Sequence, residues 1–193
     1  MTSTPKRIAV LYATEQGSTR DIADFIAENL TARGGHVEVS EVEHAPELSL
    51  FDAVVLGSAV HDMNLLPAAE GYIRAHDREL RETDLWLFTV GLGPALRGPI
   101  GGRLARRVPP DIARLRDLVQ PRDYRAFAGV YQRAGLPLST RLRYRAMGGG
   151  RYGDLRDWAS IRAWADEIAT ALGLAQETAG TRKTVGTEHG NSR

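Results

Sequence analysis

Three hydroxyl side chains, Thr14, Ser18 and Thr19, surround a single glycine, Gly17, with Glu15 and Gln16 between them. Residues of these types at this spacing can hold an anion. Before them, Ile8 to Tyr12 is a continuous apolar run of the kind buried on both faces of a parallel sheet. After them, Ile22, Ala23, Phe25, Ile26 and Leu30 recur at the spacing of one helical face. A strand, a tight loop and a helix N-terminus, in that order, aim free backbone N–H groups and the positive end of the helix dipole into the loop. Gly17 lets the backbone approach a ligand without a Cβ in the way.

The loop lacks the Lys-Ser/Thr ending that meets the outer charge of a magnesium-bound triphosphate. It has one glycine where the dinucleotide fingerprint needs three. A single phosphomonoester, held by hydroxyls and amides, is what remains. The competing expectation is a helix without a ligand, in which Ser18 or Thr19 caps its own orphan donors.

These residues sit in a chain of 193, the size of one domain, expected over residues 1–172 with a disordered tail over 173–193. The absence of cysteine excludes disulfides, iron–sulfur clusters and cysteine nucleophiles. Apolar runs are only strand-length, and Met1 to Pro5 lacks the apolar centre of an export signal, so a cytoplasmic protein is expected. Charge is unevenly spread: residues 1–96 hold 7 basic and 15 acidic side chains, whereas residues 97–156 hold 14 and 4. All 14 are arginine, the side chain suited to forked contacts with carboxylate or phosphate.

Along the chain, Gly34 and Gly35 end the first helix. Alternation over 36–42 predicts a half-exposed edge strand, and the apolar run 51–57 a second buried strand. A helix is expected over about 66–80, a third buried strand over 84–90, and a long glycine-rich loop over 91–102. Residues 103–120 read as one turn, a break at Pro109-Pro110 and a short helix. The last strand is expected over 124–131, a short basic helix within 136–151, and a final helix capped by Asp157. Trp86, Trp158 and Trp164 fall on apolar faces and are read as core.

Strands alternating with helices predict an α/β fold, a doubly wound five-stranded parallel sheet of order 2-1-3-4-5. In such sheets a ligand sits beyond the carboxyl ends of the strands, where the order reverses. Residues 13–19, 58–64 and 91–102 meet there.

With these elements in place the chain resembles the flavodoxin-like superfamily. Ala13 to Thr19 is similar to its Ser/Thr-x-x-Gly-x-Thr phosphate loop. Within the superfamily it resembles the bacterial quinone-dependent protoporphyrinogen dehydrogenases, on Gly57-Ser58-Ala59-Val60-His61, Phe88-Thr89-Val90-Gly91-Leu92, the Arg/Tyr-rich stretch after the last strand and Asp157-Trp158. His61 stands where that family usually shows arginine. The resemblance implies FMN as cofactor, held by Thr14, Glu15, Gln16, Gly17, Ser18 and Thr19, by Ser58, Ala59, Val60, His61, Asp62 and Met63, and by Val90, Gly91, Leu92 and Gly93.

The second and third loops contain no Trp, Tyr or Phe, so the flavin ring is expected to meet Val60, Met63, Leu92 and His61. Positive charge nearby favours an anionic reduced flavin. One charge roughly 8 Å away is worth on the order of 2 kcal/mol at an effective dielectric constant of about 20. A potential above that of a shuttle flavodoxin is therefore expected. It suits a small-molecule reductant such as a porphyrinogen and a quinone acceptor such as menaquinone.

Residues 133–151, with Leu136, Leu138, Leu142 and Met147 among Arg141, Arg143 and Arg145, are expected to form a peripheral membrane patch. His61, the only loop residue of a type that titrates near neutrality, is the candidate catalytic proton carrier. No metal site is visible, and no nucleic-acid partner is expected. The rival readings are an electron-carrier flavodoxin serving protein partners, and an interaction module without flavin. A phosphorelay receiver fits poorly, for want of an acidic pair after the first strand.

Overall fold

The apolar run after Arg7 becomes the second strand from one edge of the sheet. The computed structural model describes residues 5–132 and 138–174. Strand β1 (Arg7–Ala13) leads to helix α1 (Ser18–Ala32) and edge strand β2 (His36–Glu41). Next come β3 (Ala53–His61), a two-residue arm β4 (Asn64–Leu65), α2 (Pro67–Ala75) and α3 (Asp77–Glu82). After β5 (Asp84–Gly91), α4 (Gly98–Ala105) and α5 (Pro110–Val119) precede β6 (Asp123–Ala128). The chain closes with β7 (Val130–Tyr131), α6 (Leu138–Ala146), β8 (Gly153–Asp154) and α7 (Trp158–Ala171).

The main sheet runs β2-β1-β3-β5-β6, all parallel. This is the expected 2-1-3-4-5 order, with β4 set aside as a hairpin arm antiparallel to the end of β3. Because successive side chains of a strand point to opposite faces, β1 serves two cores. Ile8, Val10 and Tyr12 pack with α1 and α7, and Ala9, Leu11 and Ala13 with the layer of α2, α3 and α5. Both faces are covered, which is why the central strands read as unbroken apolar runs.

Four expectations change. The helix expected over 66–80 is two helices with His76 at the junction, and the residue types there give no reason for the break. The second buried strand does not end at Gly57 but continues through His61, because Val60 and His61 find partners in Leu65 and Asn64. The glycine-rich loop contains α4, where Gly101 is needed for space: the Met147 carbonyl oxygen lies 2.9 Å from where a Cβ would stand. The last strand breaks at Gly129, and Val130-Tyr131 leaves the main sheet to pair with Gly153-Asp154.

Asp157 does cap α7, accepting from the Ser160 amide at 3.1 Å. Gly173 and Leu174 close that helix, and Leu174 packs on the core. The rest of the expected tail, 175–193, and residues 133–137, including Leu136, lie outside the described residues. No helix among the described residues is long and apolar enough to cross a membrane.

Candidate functional site

The carboxyl ends of β1, β3, β5 and β6 converge on a cleft of about 280 Å³. Thr14, Glu15, Gln16 and Ser18 form its first wall. Between them Gly17 adopts φ +88°, with no atom within 4 Å of a would-be Cβ. Glycine is required there by backbone conformation, not by crowding. The turn is closed by the Gly17 amide donating to Thr14 Oγ at 3.0 Å.

No side chain caps α1. The expectation that Ser18 or Thr19 merely satisfies the helix's own donors therefore fails. Thr19 is fully buried, and its hydroxyl has no hydrogen-bond partner among the described residues. An orphaned buried hydroxyl of this kind normally carries a cost of about 1–3 kcal/mol. Thr19 lies behind the lining and not in it; the uncapped amides and the left-handed glycine in front of it are the features that suit an anion.

The second wall is Ala59, Val60 and His61 at the end of β3, with Leu66 behind them. Asp62 and Met63 form a tight hairpin turn with φ +46° and +69°, beyond the lining, and Met63 is 58% exposed. Mirror-image turn geometry of this sort matches the twist of the flanking strands. Asn64 Nδ2 donates to the Asp62 carbonyl at 3.0 Å and steadies the turn. Ser58 is fully buried and does not line the cleft: its hydroxyl accepts from the Leu66 amide at 3.1 Å and donates to the Ala59 carbonyl at 2.8 Å. It fixes the entry to α2.

Val90, Gly91 and Leu92 form the third wall. Gly93 lies past it, in a short 3-10 turn over Gly93–Ala95.

A fourth wall was not foreseen. Gly129, Val130 and Tyr131 line the cleft where the chain leaves the main sheet. The Tyr131 ring stacks on Tyr152 at 5.6 Å and 13°, and Tyr144 packs at 4.8 Å from it. Tyr144 is itself buried, its hydroxyl donating to the Arg151 carbonyl at 2.8 Å, and burial pushes that hydroxyl's pKa up. The cleft thus has an aromatic ring after all, supplied by the segment after the last strand. Gly129 interrupting the apolar run was the signal, because glycine inside a strand marks a bend or close approach. A Cβ there would stand 2.9 Å from Val90 and 3.1 Å from Ser18 Oγ.

Glu15 is the one carboxylate in the lining and His61 the one imidazole; among the described residues no arginine lines it.

Residues 9–142 match the model of the flavodoxin domain. The chain belongs to the flavodoxin domain family. Its cofactor is FMN, and the cradle fits: the open amides and the left-handed Gly17 suit the phosphate end. The chain is 26% identical over 103 residues to the quinone-dependent protoporphyrinogen IX dehydrogenase of Escherichia coli strain K12. That match takes in 51% of this chain and 57% of the relative, so the chain spans little more than half the length of the curated relatives it matches.

Among solved structures, flavodoxin 1 of Bacillus cereus superposes with a TM-score of 0.53 at 14% identity, over 85% of this chain and 97% of that one. The rubredoxin oxygen:oxidoreductase of Desulfovibrio gigas gives 0.54 at 16% identity, over 88% of this chain and 37% of that one. At these identities the likeness is one of fold.

Proposed function

We propose that this flavodoxin-family protein is an FMN-dependent oxidoreductase that oxidises a reduced organic compound of the porphyrinogen type and passes the electrons to a quinone such as menaquinone. The observation that carries the reading is the likeness over 103 residues to a protein of that activity. Bound FMN supplies the acceptance and release of reducing equivalents. The protein's part is to hold, orient and shield. Thr14, Ser18, Thr19 and the amides at the start of α1 bind the phosphate, with Glu15 and Gln16 flanking it. Val60, Leu66, Val90 and Leu92 exclude water from the ring. Ala59 and Gly91 keep the second and third walls close. His61 is exposed at the end of β3, where its imidazole is free to hold or move a proton at the cleft mouth.

The test is anaerobic reduction of the FMN-loaded protein by a porphyrinogen, followed by mixing with a soluble menaquinone analogue. Rapid return of the oxidised flavin spectrum is expected. A reduced flavin that survives the quinone and reoxidises only with redox proteins would overturn the reading in favour of an electron carrier.

A further inference from the structure

Most of the described arginines fall into two groups; Arg7 and Arg162, exposed and without an ion pair, stand apart because each guanidinium lies over a ring, Phe51 and Phe25. Arg20, Arg33, Arg74, Arg78, Arg81, Arg114, Arg116, Arg122, Arg125 and Arg156 each form an ion pair with Asp or Glu. Arg97, Arg103, Arg106, Arg107, Arg145 and Arg151 are exposed and form no ion pair among the described residues. Arg97 precedes α4, Arg103 is in it and Arg106 and Arg107 follow it, while Arg145 is in α6 and Arg151 in the segment after it. Residues 97–110 and 124–153 contain no Asp or Glu at all.

The two segments are neighbours. The Arg97 amide donates to the Gly148 carbonyl at 3.0 Å, and Gly101 packs on the Met147 carbonyl. On α6, Leu138 and Leu142 lie one turn apart on the same face, 80% and 69% exposed. Among the described residues these are the two most exposed of the large apolar side chains. Opposite them Tyr144 is buried and anchors the helix to Tyr131 and Tyr152 beside the cleft.

We infer that α4 and α6 form a docking surface for an anionic lipid bilayer, with Leu138 and Leu142 inserted between headgroups and the unpaired arginines on the phosphates. Charge complementarity selects a polyanion, since guanidinium forks suit phosphate oxygens and none of the six is held in an ion pair, although Arg97 lies within electrostatic range of Asp157. The leucines choose among polyanions. Two apolar side chains held out into water are suited to the acyl boundary, and a nucleic acid or a soluble polycarboxylate offers them nothing comparable. Met147, expected from the sequence to join the patch, is only half-exposed. Arg103 of α4 and the arginines that flank that helix join it instead. This surface goes beyond the proposed redox activity, and its test involves no electron transfer, so the two fail separately.

The full FMN-loaded chain is sedimented with phosphatidylglycerol–phosphatidylcholine vesicles and with pure phosphatidylcholine vesicles, at low and high salt. Binding to the anionic vesicles alone, weakened by salt, is expected. Arg103→Gln/Arg106→Gln/Arg107→Gln should lower partitioning by about fivefold for each arginine that reaches the surface. Leu138→Ser/Leu142→Ser should lower it at least about tenfold. Leu142→Trp should bind as the natural chain does and shift its emission to the blue on binding. All substitutions are on exposed side chains, and unchanged circular dichroism and visible flavin spectra establish that the variants fold. No sedimentation with anionic vesicles overturns the inference. So does binding that needs the arginines but is indifferent to the leucines and gives no blue shift, an outcome that assigns the surface to a soluble polyanion.

Discussion

Arg156 and Asp21, 135 positions apart in the sequence, meet at 2.7 Å. The same guanidinium grips both oxygens of Asp154 at 2.7–2.8 Å and lies 4.5 Å over the Trp158 ring, leaving its side chain 11% exposed. Asp21 is in the first turn of α1, directly behind the phosphate loop, and Asp154 is in β8. One arginine therefore fastens the segment returning from the tyrosine cluster to the helix whose amides face the cleft. Hydrogen bonding from Arg156 holds the Asp154 carboxyl below the usual carboxylate range.

Replacing Arg156 by Met should cost about 1 kcal/mol of stability, because the exposed Asp21 and Asp154 lose a paired guanidinium and the Trp158 ring loses its cation. It should also weaken FMN more than riboflavin, because an uncompensated Asp21 then stands near the phosphate. Adding Asp21→Asn should restore much of the FMN affinity. Urea unfolding and titration of both flavins across the four proteins measure the coupling. Additive effects would separate the two residues.

Thr19 gives a prediction in which two observables move in opposite directions. Thr19→Val keeps the shape and removes a buried hydroxyl that has no partner among the described residues, so the flavin-free protein should unfold no earlier and about 1 kcal/mol later. FMN affinity should fall at least about tenfold, the scale of one hydrogen bond to a charged group. A variant that binds FMN as tightly as the natural chain would remove Thr19 from the cradle.

Parallel topology, both cores and the phosphate loop were legible because they rest on local patterns. Apolar runs of strand length, a helical stripe from Ile22 to Leu30 and the hydroxyls around Gly17 each report their own surroundings. What escaped depended on contacts distant in sequence. Ser58 has the residue type of a ligand donor, yet its hydroxyl serves the Leu66 amide in the return arm of a hairpin. Tyr131 read as the end of a strand because its neighbours in space, Tyr144 and Tyr152, come from later elements. The arginine block over 97–156 was visible as composition. Its division into paired and unpaired members was not, because partners such as Asp21 for Arg156 and Glu167 for Arg125 lie far away in the chain.

Asp123 sets an acid limit on stability. Burial alone would raise its pKa, but hydrogen bonds from Arg125 and from the buried Trp164 indole, at 2.8 and 2.7 Å, outweigh burial and hold the carboxyl below its ordinary value. A carboxyl whose folded pKa lies below the unfolded value, about 3.9, contributes stability that is present above that value and lost as pH falls through the folded pKa. Urea midpoints of the natural chain should hold steady down to about pH 5 and then decline. Asp123→Asn should be less stable at neutral pH and decline less steeply in acid. An equal acid slope in both proteins would assign the limit to other carboxyls.

Tyr72 buries its hydroxyl between α2 and the layer it packs on. Its oxygen is buried without a partner among the described residues, and burial pushes its pKa up to about 12. The ring lies 4.6 Å from His76, at the junction of α2 and α3. Tyr72→Phe keeps the ring and deletes the unsatisfied group, so it should stabilise the protein by about 1 kcal/mol. Thermal unfolding of the two proteins decides, and a lower midpoint for the variant would mean that the hydroxyl is satisfied in solution, most simply by water.

Tyr131 tests whether the cleft's aromatic wall meets the flavin. Its ring is held by the parallel Tyr152 and by the anchored Tyr144, so it enters the cleft pre-positioned. An electron-rich phenol against an excited isoalloxazine quenches flavin emission by electron transfer, and stacking of this kind contributes about 1 kcal/mol to binding. Bound FMN should therefore be dim in the natural chain. Tyr131→Leu should brighten it severalfold and weaken binding by about fivefold. Tyr152→Leu, which removes the support but leaves the contacting ring, should fall between the two. Emission unchanged by Tyr131→Leu would place the phenol away from the ring system, leaving Val60, Leu92 and His61 as its neighbours.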